Sequence, residues 1–113
     1  MKNIDGVGEK NMLNQTVLVG RITMDPQIEK LEEGKNVCNL VIAIPRAYKN
    51  DNGEYETDFI PVILWNAIAD TTIEYCHKGD IVGIKGRLES VNDRIQIIAE
   101  KVTFLSSKNP DEE

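Results

Sequence analysis

The sequence is poor in the side chains on which most enzymes and metal proteins depend. Its 113 residues include one histidine and two cysteines, Cys38 and Cys76, which lie far apart and form no CxxC pair. This spacing does not match a zinc site, and the chain has no phosphate-binding loop, nucleophile elbow or HExxH motif. The sequence therefore predicts neither catalysis nor a metal or other cofactor. Two isolated cysteines without a secretion signal are predicted to be reduced thiols.

Long apolar runs are also absent. The longest run, residues 60–65, includes a proline, whereas a transmembrane helix needs about 18 or more apolar residues. Residues 1–11 lack the apolar core of a signal peptide, so we expect a cytoplasmic protein without a membrane span. Those residues are predicted to be a disordered lead-in, and residues 108–113 a short acidic tail, on either side of one domain over residues 12–107.

Positive charge is scarce as well. The chain has 13 Lys and Arg against 19 Asp and Glu, a net charge of −6, and it stays acidic when both terminal segments are excluded. This balance does not favour a nucleic-acid partner, although the location of charge matters more than its total. Any anion-binding surface must therefore be a local stripe of cations.

Stretches rich in β-branched residues predict five strands, separated by short turn signals such as Asn52-Gly53 and Asn92-Asp93. The predicted strands are residues 14–23, 37–47, 57–65, 80–90 and 94–105. Three strands, a helix and two strands, all joined by short links, predict an all-β fold. We expect a small closed five-stranded barrel of the OB-fold type, with one helix between the third and fourth strands.

The helix is predicted from apolar residues at helical spacing after the third strand, which are Ile68, Ile73 and Cys76. Asn66 is placed to cap the start of this helix, and Gly79 to end it. His77 and Lys78 are then expected in the last turn, where positive charge interacts favourably with the helix dipole.

The third strand, within the stretch TDFIPVILWNA, raises the question of function. Phe59 and Trp65 share one face of the strand, whereas the opposite face, made of Ile60, Val62 and Leu64, is already a complete core face. Pro61 cannot donate a ladder hydrogen bond, which indicates a bulge or an unpaired edge.

Two interpretations of the aromatic face are open. It is either a second buried face, covered by the helix, or a platform on which bases stack. Upstream aromatics interleaved with cations, which are Arg46, Tyr48, Lys49 and Tyr55, favour the platform.

The fourth predicted strand alternates between an apolar face and a cationic face. Gly83, Lys85 and Arg87 form the cationic face, which either follows a phosphate backbone or is an ordinary solvated face. Glycines beside these cations would let a bulky ligand approach closely.

Several motifs together resemble the bacterial and phage single-stranded DNA-binding proteins. They are Val19-Gly20-Arg21, Asp25-Pro26, Asn39, the segment from Phe59 to Trp65, Lys78-Gly79 and Gly86-Arg87-Leu88. The resemblance extends from residue 13 to about residue 105, with every element in order. It implies an OB-fold that assembles as a homotetramer and binds single-stranded DNA without sequence preference in replication, recombination and repair.

The resemblance also implies a binding site. Bases are expected to stack on three aromatic residues, Tyr48, Phe59 and Trp65. Phosphates are expected to be neutralised by the cations Arg21, Lys35, Arg46, Lys49, Lys85 and Arg87.

The sequence departs from this family at three places, one of which is Pro61, at a position that is often polar or basic in the family. The hairpin between the last two strands is short and carries no aromatic residue. The terminal NPDEE is acidic but lacks the phenylalanine through which the family recruits replication and repair proteins. The short hairpin and the missing phenylalanine favour an alternative, an OB-type protein-interaction module such as a primosome accessory protein. A hydrolase that uses Glu56 and Asp58 is a weaker alternative, because these carboxylates are expected on opposite faces of the strand.

Overall fold

Six strands and one helix make up most of residues 12–107, the part of the chain that the computed structural model describes. The predictions for residues 1–11 and 108–113 lie outside this part. The elements are β1 (Thr16–Ile22), β2 (Glu29–Lys30), β3 (Asn36–Lys49), β4 (Tyr55–Trp65), α1 (Asn66–Tyr75), β5 (Ile81–Val91) and β6 (Arg94–Ser106), with a 3-10 turn at Glu32–Gly34. Within the described residues, no helix has the length and apolarity needed to cross a membrane.

The long strands close into a barrel in the order β1-β5-β6-β4-β3, and β1 also pairs with β3. All these pairings are antiparallel except β4 with β6, which are parallel and pair at Ile63 and Ile98. The structure confirms the five-stranded OB-fold barrel with a helix between its third and fourth strands. It adds the two-residue strand β2, which pairs with β3 outside the ring.

The core lies inside the barrel and follows the alternation of each strand. Val62 and Leu64 of β4 are fully buried, and Ile60 packs against them at the rim. This confirms the predicted inward face of β4. The other strands, α1 and the residue after it complete the same cluster with Ile22, Cys38, Leu40, Ile42, Ala69, Cys76, Val82, Ile84 and Ala99.

The predicted caps of the helix are wrong at both ends. Asn66 has a left-handed conformation with φ of 53°, and its Oδ1 accepts a hydrogen bond of 3.1 Å from the Asn36 backbone N–H, not from its own helix. At the other end α1 stops at Tyr75, so His77 and Lys78 lie beyond the helix. The N–H of Gly79, whose φ is 95°, donates to the Ile22 carbonyl oxygen and attaches this loop to β1.

Gly86 is required by packing within the barrel, not by ligand approach. A Cβ at this position would lie 2.2 Å from the Ile98 carbonyl oxygen, where β6 bulges against β5. The expected role of Gly86 in admitting a ligand is therefore wrong. At Gly83 the nearest atom to such a Cβ is the side chain of Leu105, at 3.6 Å.

Candidate functional site

The outer face of β3 and β4, opposite the core, carries the predicted aromatic platform. Residues paired in an antiparallel ladder point to the same side, and here the pairs include Val37 with Trp65 and Ala43 with Phe59. Phe59 is 63% exposed, so the helix does not cover it, whereas Trp65 is half-buried. The structure therefore excludes a fully buried face and leaves one free aromatic ring and one partly packed ring.

Pro61 lies between these two aromatics without a bulge. The β3–β4 register runs unbroken past the pair Val41 and Pro61, while the second edge of β4 pairs with β6 only at Ile63. Pro61 thus occupies a part of β4 whose second edge has no ladder partner, as one of the two sequence interpretations predicts.

Arg21 extends the aromatic row across a third strand. It pairs with Ala43 of β3, which in turn pairs with Phe59 of β4. Three adjacent strands thus present a cation, a small residue and an aromatic on one side of the barrel. Arg21 Nη1 also donates a 2.7 Å hydrogen bond to the Gly79 carbonyl oxygen, which fixes the guanidinium beside this row.

Two hollows meet at Asn39 and form a groove across the outer face. One, of about 510 Å³, lies between the β1–β2 loop and β3 and is lined by Met24, Gln27, Val37, Asn39 and Lys78 among others. The other, of about 370 Å³, lies between β4 and the β5–β6 hairpin and is lined by Asn39, Pro61, Ile63, Leu88, Arg94 and Ile95 among others. Lys78 lines the first hollow together with the carboxylates Asp25 and Glu29, and Arg94 lines the second.

The sequence did not identify these two cations as site residues. Lys78 was expected in a helix turn, but its backbone N–H donates to Asp25 Oδ1 at 2.8 Å, which holds the loop against the β1–β2 connection. Arg94 and Ile95 follow the tight turn at Asn92 and Asp93, both of which have positive φ. The turn at Asn92 and Asp93 was predicted correctly from the sequence. Its position next to β4 was not, because it depends on closure of the barrel.

The hairpin between β3 and β4 projects beyond the barrel and carries exposed aromatics. Tyr48 and Tyr55 are 66% and 59% exposed, and Lys49 Nζ lies 5.6 Å from the centroid of the Tyr55 ring. We call residues 46–58 the arm. The arm therefore presents the interleaved aromatics and cations that the sequence predicts.

Arg46 is held within the arm by two carboxylates. Its Nη2 lies 2.9 Å from Asp58 Oδ1, and its Nη1 lies 3.2 Å from Glu56 Oε1. The hydrogen bonds from Arg46 hold the pKa of Asp58 below its usual value, so this carboxylate is ionised at neutral pH. The expectation that Glu56 and Asp58 lie on opposite faces is wrong, since both contact one guanidinium. Such an ion pair is not a general acid–base pair.

Lys85 and Arg87 lie on a different part of the surface. Lys85 pairs with Val17 of β1 and Lys101 of β6, four residues and about 13 Å along β5 from the partner of Arg21. Arg87 is paired with Glu89 at 3.1 Å and Glu100 at 3.3 Å. The structure therefore does not bring this predicted stripe next to the aromatic row.

The remaining predicted cation, Lys35, is exposed and follows the 3-10 turn, where its carbonyl oxygen accepts from the Leu31 N–H. No cluster of three or more potential metal ligands occurs within residues 12–107.

Comparison with known proteins places the chain in a well-populated group. Residues 13–105 match the Single-strand binding protein family. The chain is 36% identical over 110 residues to Single-stranded DNA-binding protein 1 of Staphylococcus aureus strain MSSA476, covering 89% of this chain and 70% of that protein. It is 37% identical over 106 residues to Single-stranded DNA-binding protein B of Bacillus subtilis strain 168, covering 86% and 94%.

A solved structure shows the same fold. The wild-type single-stranded DNA binding protein from Thermus aquaticus superposes with a TM-score of 0.70 at 24% identity, covering 83% of this chain. The chain spans about half the length of that protein, 50%.

Proposed function

Because this chain belongs to the Single-strand binding protein family, we propose that it binds single-stranded DNA without sequence preference. It would hold DNA unpaired in the cytoplasm during replication, recombination and repair. The observation that carries this proposal is the row from Arg21 through Ala43 to the exposed ring of Phe59, on the side of the barrel opposite a complete core. A stacking surface beside a cation is what a single strand requires, because every base has a π-face and every nucleotide a phosphate.

The proposed path of the strand follows the groove over Asn39. Bases stack on Phe59 and Trp65 and, beyond the barrel, on Tyr48. Phosphates interact with the cations Arg21, Lys35, Lys49, Lys78 and Arg94. Binding is passive and breaks no covalent bond.

Two predicted cations have a lesser place in this path. Arg87 is already paired with two carboxylates, and Lys85 lies on the β1–β5–β6 surface. A strand of DNA would reach Lys85 only by wrapping around the barrel. We therefore expect Lys85 to contribute less to the binding free energy than Arg21 does, but more than Arg87, which is already paired.

We also propose a homotetramer, for which the surface of β1 offers support. β1 pairs with β3 only at Arg21 and Ile22, so its edge from residue 16 to residue 20 is unpaired on that side. Its outward side chains Val17 and Val19 are exposed, as is Leu105 beside them. An uncharged strand edge next to apolar side chains favours association with a second copy. Light scattering at micromolar concentration should give a tetramer, and a monomer would refute this assembly.

Titration with oligo(dT) tests the function directly. Trp65 is the only tryptophan and lies half-buried on the proposed face, so binding should quench its fluorescence to saturation. A mixed-sequence oligonucleotide should bind similarly, and duplex DNA far more weakly. A flat titration at low salt would instead support the protein-interaction module.

A further inference from the structure

The arm is held together by side chains where its backbone ladder is interrupted. The β3–β4 register is regular up to the pair Pro45 and Thr57, and pairing resumes only at Lys49 and Tyr55. Between these pairs, three residues of β3 face a single residue of β4. Because the ladder is interrupted here, backbone pairing does not fix the relative position of the two strands or the position of Tyr48 on the bulged side. Other contacts must do so.

Arg46 supplies these contacts through three of its nitrogen atoms. Nε donates to both oxygens of Asp58, at 3.2 and 3.1 Å, and Nη2 donates to Oδ1 at 2.9 Å. Nη1 lies 3.2 Å from Glu56 Oε1. This planar fork, bonded to both oxygens of one carboxylate, fixes geometry far better than a single exposed ion pair does.

The network continues to the tip of the arm. The second oxygen of Glu56, Oε2, accepts a hydrogen bond of 3.2 Å from Asn50 Nδ2. The Oδ1 of Asn50 accepts from the backbone N–H groups of Asn52 and Glu54, at 2.9 and 3.0 Å. One chain of polar contacts therefore runs from Asp58 through Arg46 and Glu56 to the turn, and spans the bulge.

The same geometry makes Arg46 a poor phosphate ligand. Asp58 directly precedes Phe59 in β4, so by alternation it points away from the aromatic face, and Arg46 follows it there. The guanidinium and its two carboxylates also carry a net charge of −1, which repels a phosphate. The contacts with Asp58 and Glu56 occupy the Nε–H and one N–H on each of Nη1 and Nη2, so only two of the five guanidinium donors remain for a phosphate.

We infer that Arg46 is a positioning residue, which sets the arm and its Tyr48 ring for base stacking, and that it does not contact phosphate. This inference rests on the proposed function. If Arg46 positions the arm, Asp58 favours DNA binding despite its negative charge. If Arg46 contacted phosphate, Asp58 would instead oppose binding.

Neutralising Asp58 distinguishes a positioning role of Arg46 from a phosphate contact, because the two roles predict opposite changes in DNA affinity. In Asp58→Asn the guanidinium loses its main anchor but keeps its charge. If Arg46 positions the arm, affinity for oligo(dT) should fall by about tenfold, within the range for one stacked base, with no change in the slope of log K against log salt. If Arg46 contacts phosphate, the freed charge should instead raise affinity and steepen the slope.

Asp51→Asn is the matched control, because it makes the same chemical change in the same arm at an exposed residue outside the network. It should keep affinity equal to or slightly above that of the parent. Thermal melts should show all variants folded, since residues 46–58 add nothing to the barrel core.

A double-mutant cycle with Tyr48→Ala completes the test. If Arg46 acts through Tyr48, Arg46→Gln should weaken binding in the parent but add little in the Tyr48→Ala background. Arg46→Gln should leave the salt slope unchanged. A slope flattened by about 0.7, additive losses in the cycle, or tighter binding by Asp58→Asn would each overturn the inference. Failure of the parent to bind DNA would instead refute the proposed function, and hydrogen exchange of the Glu54 amide would still report whether the network orders the arm.

Discussion

Replacing Gly86 with alanine should test whether the β5–β6 bulge has a structural role. The new Cβ would lie 2.2 Å from the Ile98 carbonyl oxygen, 3.0 Å from the Ile98 carbonyl carbon and 3.2 Å from the Ala99 Cα. All three atoms belong to the backbone, so no side-chain rotation relieves the contact. An ordinary contact begins near 3.4 Å, and β6 must therefore move by about 1.2 Å or β5 must distort.

The expected cost follows from these distances. Overpacking of a filled interior costs about 1–3 kcal/mol, and a backbone clash belongs at the upper end of that range. Loss of one ladder hydrogen bond adds about 1 kcal/mol, while alanine restricts the unfolded chain and returns about 0.4–1 kcal/mol. The net loss in the free energy of unfolding of Gly86→Ala should be about 3 kcal/mol.

Gly83→Ala is the matched control, because it makes the same change three residues earlier in β5. Its Cβ would meet only the flexible Leu105 side chain at 3.6 Å and other atoms at about 4 Å, so its stability should equal or slightly exceed that of the parent. Urea unfolding curves of the three proteins, with equal m-values, measure the difference. A Gly86→Ala midpoint within error of the parent, or equal losses at both positions, would refute this account of the bulge.

Three further predictions concern the face, the cations and the thiols. Phe59→Ala should cost about 1–3 kcal/mol of binding free energy with little change in melting temperature. Trp65→Ala, at a half-buried position, should lower both the DNA affinity and the melting temperature. An unstable Phe59→Ala protein would place that ring in the core. Arg21→Gln should flatten the slope of log K against log salt by about 0.7, and Lys85→Gln should flatten it by less. The reverse order in salt titrations would indicate that DNA binds the β1–β5–β6 surface instead. Burial raises the pKa of the Cys38 and Cys76 thiols, so both should resist a thiol reagent at pH 8 in the native protein and react after denaturation; rapid native labelling would contradict their place in the core.

Features that depend on neighbours in sequence were predictable. The inward face of Ile60, Val62 and Leu64 and the position of Phe59 on the opposite face follow from alternation along a single strand, whereas the exposure of Phe59 did not. The two turns follow from residues that tolerate positive φ, as observed at Gly53 and Asn92. The barrel itself was predictable from the order of elements along the chain, because the links between them are short, which limits the possible topologies.

Features that depend on distant partners were not predictable from local pattern. Asn66 fits the composition of a helix cap, but its side chain bonds Asn36, thirty residues earlier. Lys78 becomes part of the groove because Asp25, fifty-three residues earlier, binds its backbone. The error about Glu56 and Asp58 is of another kind, because alternation along β4 already places two residues that are two apart on the same face, and only their common partner Arg46 depends on the β3–β4 register.

The single parallel pair of Ile63 and Ile98 makes the β4–β6 contact the seam of the barrel. The β3–β4 and β5–β6 hairpins each join strands adjacent in sequence, so they can form early, whereas the seam must join segments 35 residues apart and is expected to close late. The hollow beside this seam is lined by Pro61 of β4 on one side and by Ile95 of β6 on the other. A strand of DNA lying in that hollow would bridge both hairpins, so the ligand would act on the protein as a clasp, slowing the opening of the barrel at the β4–β6 contact.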